Sequence, residues 1–167
     1  MDAGRFTLQP EDVDLAGIVR AAEETARVTA AARGVAVTVE VPEDGLVVRG
    51  DALRLGQACD NLVSNAVKFT PAGGQVRLRL SAAERDGAPV ALLSVSDTGV
   101  GIPTGEQGKL FTSFFRASTA RRNAVPGVGL GLTITKAITT AHGGTLDVAS
   151  AEGRGTTFTL ALPRAGS

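Results

Sequence analysis

Four short segments, rich in glycine, asparagine or phenylalanine, interrupt the regular apolar pattern of this chain and constrain its fold most strongly. In order they are NLVSNAVKFTP at 61–71, DTGVGIP at 97–103, KLFTSFFRAS at 109–118 and GVGLGLTITK at 127–136. Glycine and asparagine disfavour the interior of a helix, so their recurrence at element ends and on helix faces asks for a reason. The order and spacing of the segments indicate one shared site, which the fold must assemble from distant parts of the chain.

The composition limits the classes of protein to consider. The 167 residues, 43% of them hydrophobic, suit one domain with a sizeable core. A formal net charge of zero argues against a nonspecific nucleic-acid binder, which would be basic. No apolar run approaches the roughly 20 residues that span a bilayer. We expect a cytoplasmic fragment without a nucleic-acid partner or direct membrane contact, and leave open whether a parent protein is anchored in the inner membrane.

The hydrophobic periodicity predicts three helices and six strands. Helices are expected at about 15–32 and 52–69, capped by Asp14 and Asp51, and at about 128–141. Strands are expected at 35–41, 46–49, 75–82, 89–96, 145–150 and 156–162. The stretch from 97 to 126 shows little regular pattern beyond a helical turn or two near 109–116, and loops of this length are often functional. The elements predict an α+β two-layer sandwich, a mixed sheet with three main helices on one face.

The second predicted helix carries polar groups beside its apolar stripe. Asn61 and Asn65 are four residues apart and share a helix face, with Lys68 about one turn further on. Amide oxygens suit a hard cation such as Mg²⁺, and an ammonium group suits a phosphate. The alternative is a solvated helix face that carries two asparagines. The lone Cys59, on the apolar side of this helix, is expected to fill the core.

The segment after the fourth strand combines an acidic residue with glycines. Asp97 ends an apolar strand, where its carboxylate can accept a hydrogen bond from the exocyclic amine of adenine and would repel the 6-oxo group of guanine. Gly99 and Gly101 allow close backbone approach or a positive φ. The alternative is an Asx turn that simply ends the strand.

The third predicted helix opens with Gly127, Gly129 and Gly131, whose free N–H groups would attract phosphate oxygens. Their spacing matches neither a P-loop nor the dinucleotide fingerprint, and a hinge with tight helix packing is the alternative. Four basic residues precede this helix and would form a cationic loop able to close over a triphosphate, or merely a solvated loop. They are Lys109, Arg116, Arg121 and Arg122. A phenylalanine cluster within the same loop would anchor it or meet a partner.

Together these segments resemble the catalytic and ATP-binding domain of bacterial sensor histidine kinases, which belongs to the ATPase superfamily shared with gyrase and the 90-kDa heat-shock chaperone. The resemblance covers Asp14 to Pro163 and includes the ending AHGGTLDVASAEGRGTTFTLALP. It implies a Bergerat-type fold with a long ATP lid, and ATP and Mg²⁺ as cofactors. Residues 1–13 would be a lead-in from a missing helical dimerisation domain, and 164–167 a tail.

The resemblance also implies roles for individual residues. Asn65 would be the main Mg²⁺ ligand with Asn61 supporting it, Lys68 and Arg116 would contact phosphates, and Asp97 would bind the adenine amine. The implied catalytic residues are Asn61, Lys68 and Arg116. The remaining residues implied to surround the nucleotide are Phe69, Gly99, Gly101, Gly127, Gly129, Leu130, Gly131, Leu132 and Thr156.

Two departures refine the implied activity. Hydrolytic relatives carry a Glu at the position of Asn61, and the neighbouring Asp60 lies about 100° away around the helix, which favours transfer over hydrolysis. The second departure is that family members carry a phosphoacceptor histidine on a separate helical dimerisation domain, a segment that we do not expect in this chain. The single histidine here, His142, ends the third helix and is expected to be structural rather than a phosphoacceptor. We therefore expect transfer of the γ-phosphoryl group of Mg-ATP to a histidine on a separate helical dimerisation domain of the same protein, with a response regulator downstream. The fragment alone should not autophosphorylate.

Two other functions remain open from the sequence. An anti-sigma-type serine kinase of the same superfamily would phosphorylate a small antagonist protein. A nucleotide-binding scaffold module would have no catalytic activity.

Overall fold

The computed structural model describes residues 8–102, 104–109 and 130–164. Its helices are α1 (Leu15–Ala32), α2 (Ala52–Phe69) and α3 (Leu130–Ala141), with a 3-10 helix at Thr104–Lys109. Its strands are β1 (Glu11–Asp14), β2 (Ala36–Glu40), β3 (Val47–Gly50), β4 (Gln75–Arg85), β5 (Ala88–Asp97), β6 (Thr145–Ser150) and β7 (Thr156–Pro163). The predicted helices and strands are present, and most bounds differ from the prediction by only a few residues.

The main sheet has five strands in the order β2-β4-β5-β7-β6. Strand β2 runs parallel to β4, whereas the other neighbours are antiparallel, so the sheet is mixed as predicted. The β4–β5 hairpin turns at Asp86 and Gly87, which both have positive φ, as a type I′ turn requires.

The hydrophobic core lies between one face of this sheet and the helices. On β4 the inward residues Val76, Leu78 and Leu80 are buried, whereas the alternating Arg77 and Arg79 are exposed. Helix packing covers the inward face because each helix presents an apolar stripe to it. The free Cys59 is fully buried, and this burial raises the pKa of its thiol to about 12. These observations confirm the two-layer α+β architecture and the core position of the cysteine.

Both predicted helix caps are observed. The Asp14 carboxylate accepts hydrogen bonds from the backbone N–H groups of Ala16 and Leu46, each at 3.0 Å, and so also holds the loop before β3. Asp51 accepts from the N–H of Arg54 at 3.2 Å. Strand β1 was not predicted, because its four residues EDVD show no apolar alternation and only the pairing with β3 defines it.

His142 joins two helices, in agreement with the structural role expected for it. Its Nδ1 lies 2.8 Å from the carbonyl oxygen of Ile138, and its Nε2 accepts a hydrogen bond from the N–H of Asp51 at 3.0 Å. Because a carbonyl only accepts, Nδ1 carries the proton and the imidazole is neutral in this arrangement. The end of α3 is thereby tied to the start of α2.

Among residues 8–102, 104–109 and 130–164, no helix combines the length and the apolar content needed to cross a membrane.

Candidate functional site

A row of polar side chains lies on the helix-covered face of the sheet where β5 and β6 end and β7 begins. The inward positions of β5, β7 and β6 are apolar in two successive rows, which contain Leu93, Leu160 and Leu146 and then Val95, Phe158 and Val148. In the last row Asp97 lies opposite Thr156, and Thr156 lies opposite Ser150. Directly opposite residues share a face of the sheet. The apolar core therefore ends one row before this end of the sheet, and the last row on the same face is polar.

Asp97 is the acidic member of this row and is 92% shielded from solvent, with 8% of its surface exposed. Its Oδ1 accepts hydrogen bonds from the N–H of Gly99 at 2.8 Å and of Thr156 at 3.2 Å. Desolvation raises the pKa of Asp97 to about 6, against the opposing effect of these two donors. Within the described part of the chain Oδ2 has no hydrogen-bond partner. A buried carboxylate with one oxygen unpaired is a suitable acceptor for a ligand that carries N–H groups.

The loop after Asp97 rests against the end of α2. The N–H of Val100 donates to the carbonyl oxygen of Phe69 at 3.2 Å, and a side chain at Gly99 would collide with that same carbonyl. Gly101 has a φ of 71°, and a Cβ there would collide with the carbonyl of Ala151. Both glycines are thus required by close backbone contacts within the protein. The acidic loop and the C-terminal end of α2 therefore lie at one end of the molecule.

The polar residues of α2 lie in the C-terminal half of the helix, which ends beside the acidic loop. Asn61, Asn65 and Lys68 are all half-buried, and Asn65 lies about one helical turn before Phe69. Asn61 and Lys68 also border a groove of about 320 Å³ between α1 and α2, which they share with Asp60. Asp60 is exposed, and partial desolvation raises the pKa of its carboxyl.

The remaining predicted residues fall into two groups. Leu132 is buried in the core cluster, and Leu130 and Gly131 form the first turn of α3 in the described chain. Arg116, Gly127 and Gly129 lie outside the described residues, as do the phenylalanine cluster and the basic residues Arg121 and Arg122.

Two residues that the sequence interpretation overlooked hold this site together. Ser150 Oγ accepts from the N–H of Ile102 at 2.8 Å, donates to the carbonyl of Gly155 at 2.9 Å and lies 2.8 Å from Thr156 Oγ1. The Gln107 amide donates to the carbonyls of Ile102 at 3.0 Å and Ser150 at 2.8 Å. A sequence signal for Ser150 existed, because a polar residue follows the inward residues Leu146 and Val148 at the next alternate position.

A family model and the sequences of known proteins match most of this chain. Residues 50–166 match the family model of histidine kinase-, DNA gyrase B-, and HSP90-like ATPases. The chain is 39% identical over 163 residues, or 98% of its length, to the sensor protein DivL of Caulobacter vibrioides. It spans only 20% of the length of that relative.

Two solved structures resemble the chain in both sequence and fold. The mycobacterial sensor histidine kinase MprB is 34% identical with a TM-score of 0.78, and the match covers 95% of this chain and 100% of that one. Full-length ShkA in complex with AMPPNP is 32% identical with a TM-score of 0.79, and the match covers 99% of this chain and 33% of ShkA. The architecture described above is therefore that of histidine kinase catalytic domains.

Proposed function

The chain belongs to the family of histidine kinase-, DNA gyrase B-, and HSP90-like ATPases, and on this premise we propose that it binds Mg-ATP and transfers the γ-phosphoryl group to a histidine of a separate helical domain in the same protein. A response regulator would receive the phosphoryl group next. The single observation that carries the proposal is the buried Asp97, whose Oδ2 has no partner in the described chain and whose loop contacts the end of α2.

Asp97 suits the recognition of adenine. Gly99 and Thr156 both donate to Oδ1, which fixes the carboxylate plane and leaves Oδ2 as the acceptor for an exocyclic N–H. A 6-oxo group in that place would bring two acceptors together at a buried site, which is costly. The ShkA relative was solved with AMPPNP, an ATP analogue, which supports a nucleotide at the corresponding place in this chain.

The polar residues of α2 suit the binding of the ATP phosphates and their magnesium ion. No group of three His, Cys, Asp or Glu side chains that could hold a metal is found among the described residues. A magnesium ion in this site would thus be bound mainly by phosphate oxygens, water and the amide oxygen of Asn65, in the manner usual for Mg²⁺ at nucleotides. Lys68, half-buried on the same helix, would offset phosphate charge, with Asn61 supporting the magnesium and phosphate shell. Arg116 is proposed as the lid arginine near the γ-phosphate.

Transfer to an imidazole requires little covalent chemistry from this domain. The acceptor nitrogen forms a bond to the γ-phosphorus, the bond from that phosphorus to the β,γ-bridging oxygen breaks, ADP leaves and the imidazole loses a proton. Rate enhancement would come from positioning and charge neutralisation. Asn61 cannot act as a general base for water, and its neighbour Asp60 is exposed, which favours transfer over hydrolysis. The serine-kinase and scaffold alternatives gain no specific support from the described residues.

The proposal is tested by supplying the helical phosphoacceptor domain of the parent protein in trans. We expect radiolabel from γ-labelled ATP to appear on that domain as acid-labile, base-stable phosphate, which is the behaviour of a phosphoramidate. Transfer should require Mg²⁺ and should be lost in Asn65→Ala. Label on serine, or magnesium-dependent nucleotide binding without any transfer, would favour one of the two alternatives instead.

A further inference from the structure

The hydrogen-bonding capacity of Ser150 is fully used within the protein. A hydroxyl has one proton and two acceptor lone pairs. The carbonyl of Gly155 can only accept, so the Ser150 proton is donated to it at 2.9 Å. The N–H of Ile102 can only donate, so it occupies one Ser150 lone pair at 2.8 Å. Toward Thr156, 2.8 Å away, Ser150 can therefore only accept.

The consequence is a fixed polarity for the hydroxyl of Thr156. Because Ser150 only accepts, Thr156 must donate its single proton to Ser150. The lone pairs of Thr156 Oγ1 are then left as acceptors, and no proton remains for a ligand. Thr156 lies directly opposite Asp97, on the same face of the sheet, so the row presents two acceptors side by side: Thr156 Oγ1 and Asp97 Oδ2.

The backbone around Ser150 is held firmly enough to maintain this arrangement. Gln107, in the 3-10 helix, donates to the carbonyls of both Ile102 and Ser150. The N–H of Ile102 therefore stays in place against Ser150 Oγ, and one of the two Ser150 lone pairs stays occupied. Thr156 itself is buried, so its hydroxyl has little access to bulk water as a substitute partner.

We propose that Ser150 is a positioning residue that fixes the hydroxyl of Thr156 as an acceptor and so contributes to the selectivity of the site for 6-amino over 6-oxo purine nucleotides. The inference rests on the proposed function. At position 6 an amino group offers two N–H donors to this pair of acceptors, directly or through a bridging water, whereas an oxo group offers only an acceptor. Ser150 acts through Thr156 and does not itself need to touch the base.

The test compares the affinities for Mg-ATP and Mg-ITP by titration calorimetry. The two nucleotides differ in the 6-substituent and at N1, which is an acceptor in ATP and an N–H donor in ITP. In Ser150→Ala the Thr156 hydroxyl loses its acceptor and is free to rotate and donate. We expect the ratio of ATP to ITP affinity to fall roughly three- to tenfold, as for one neutral hydrogen bond. Ser150→Thr, which keeps a hydroxyl, should restore the ratio.

The chain offers a matched control on the opposite face of the same sheet. Ser96 Oγ lies 2.9 Å from Thr157 Oγ1 in the neighbouring row, so Ser96→Ala removes an equivalent serine–threonine contact away from the site. We expect no change in the nucleotide ratio for this variant. In a Thr156→Val background, Ser150→Ala should have no further effect on the ratio, and thermal unfolding establishes that each variant is folded.

Each outcome decides the question. An unchanged or increased ratio in folded Ser150→Ala, or an equal fall in Ser96→Ala, would overturn the inference, while ATP binding by the unchanged chain upholds the nucleotide-binding part of the proposed function. Should the unchanged chain bind neither nucleotide, the proposed function would be wrong and the role of Ser150 in selectivity would fall with it.

Discussion

Replacing Asp97 by asparagine should stabilise the domain while weakening its binding of ATP. Burial raises the pKa of Asp97 from 3.8 to about 6, so the folded domain holds the ionised carboxylate at a cost. At about 1.4 kcal/mol for each tenfold change in proton affinity, that cost is about 3 kcal/mol at neutral pH. The asparagine amide keeps an oxygen for the N–H groups of Gly99 and Thr156 and carries no charge. We expect the free energy of unfolding to rise by up to about 3 kcal/mol.

The same two donors determine the loss of nucleotide affinity. Because Gly99 and Thr156 both donate to Oδ1, the amide oxygen takes that place and the NH₂ group replaces Oδ2. The NH₂ group then faces the adenine amine, donor against donor. We expect ATP binding to weaken by roughly 1.5–3 kcal/mol, the usual value for a hydrogen bond to a charged group. Titration calorimetry measures the affinity, and urea unfolding at pH 7.5 measures the stability.

The pH dependence gives a further check with a definite sign. Between pH 3.8 and about 6 the folded state binds a proton at Asp97 that the unfolded state has released. The stability that the folded state gains by binding this proton at Asp97 is therefore fully present below pH 3.8 and is lost as the pH rises through 6. The free energy of unfolding of Asp97→Asn should exceed that of the unchanged protein most at pH 7.5, and the difference should become smaller as the pH falls toward 5.

The control for these experiments is Asp147→Asn, which removes an exposed carboxylate from β6. Its surface ion pair with Arg85, at 3.5 Å, should contribute at most about 1 kcal/mol. We expect little change in stability or affinity in this variant. A lower stability of Asp97→Asn at pH 7.5, or ATP binding as tight as that of the unchanged chain, would contradict the role assigned to Asp97.

Three further predictions concern the helices. His142→Ala should lower the free energy of unfolding by about 1–3 kcal/mol, because the N–H of Asp51 loses its acceptor and the carbonyl of Ile138 keeps only the backbone N–H of residue 142 as a donor. His142→Gln should lose less, and urea unfolding measures both. Asn65→Ala should abolish the increase in ATP affinity that Mg²⁺ produces, whereas the same change at the exposed neighbour Ser64 should preserve it, as measured by calorimetry with and without the ion. Cys59, fully buried with a raised thiol pKa, should react with a thiol reagent only at the rate of unfolding; rapid modification of the native protein would contradict its core position.

Local features of the sequence were sufficient to predict the architecture. Asp14 and Asp51 cap helices where they were expected, because capping depends on the few residues around each helix start. The alternation of Val76, Leu78 and Leu80 predicted a strand with one buried face. Strand β1 was missed, since its pairing with β3 is a long-range contact that the four residues alone do not indicate.

Part of the candidate site could likewise be predicted from local sequence, and part could not. Asp97 could be singled out from the sequence, because a carboxylate that ends an apolar strand is conspicuous without any knowledge of its neighbours. Ser150 could be noticed as a polar residue at an inward strand position, but its contribution could not be predicted, because that depends on which atoms reach its hydroxyl from Ile102, Gly155 and Thr156.

The order of helices and strands, the family and the residue types available for chemistry could all be inferred from the amino-acid sequence, since these depend on short-range pattern. The folded chain was needed to show that Asp97, Thr156 and Ser150 lie in one row and that the acidic loop contacts the end of α2 at Phe69. The physical reason is that strand register and hydrogen-bond polarity are set by partners distant in the chain. A hydroxyl donates or accepts according to the atoms that the fold places around it.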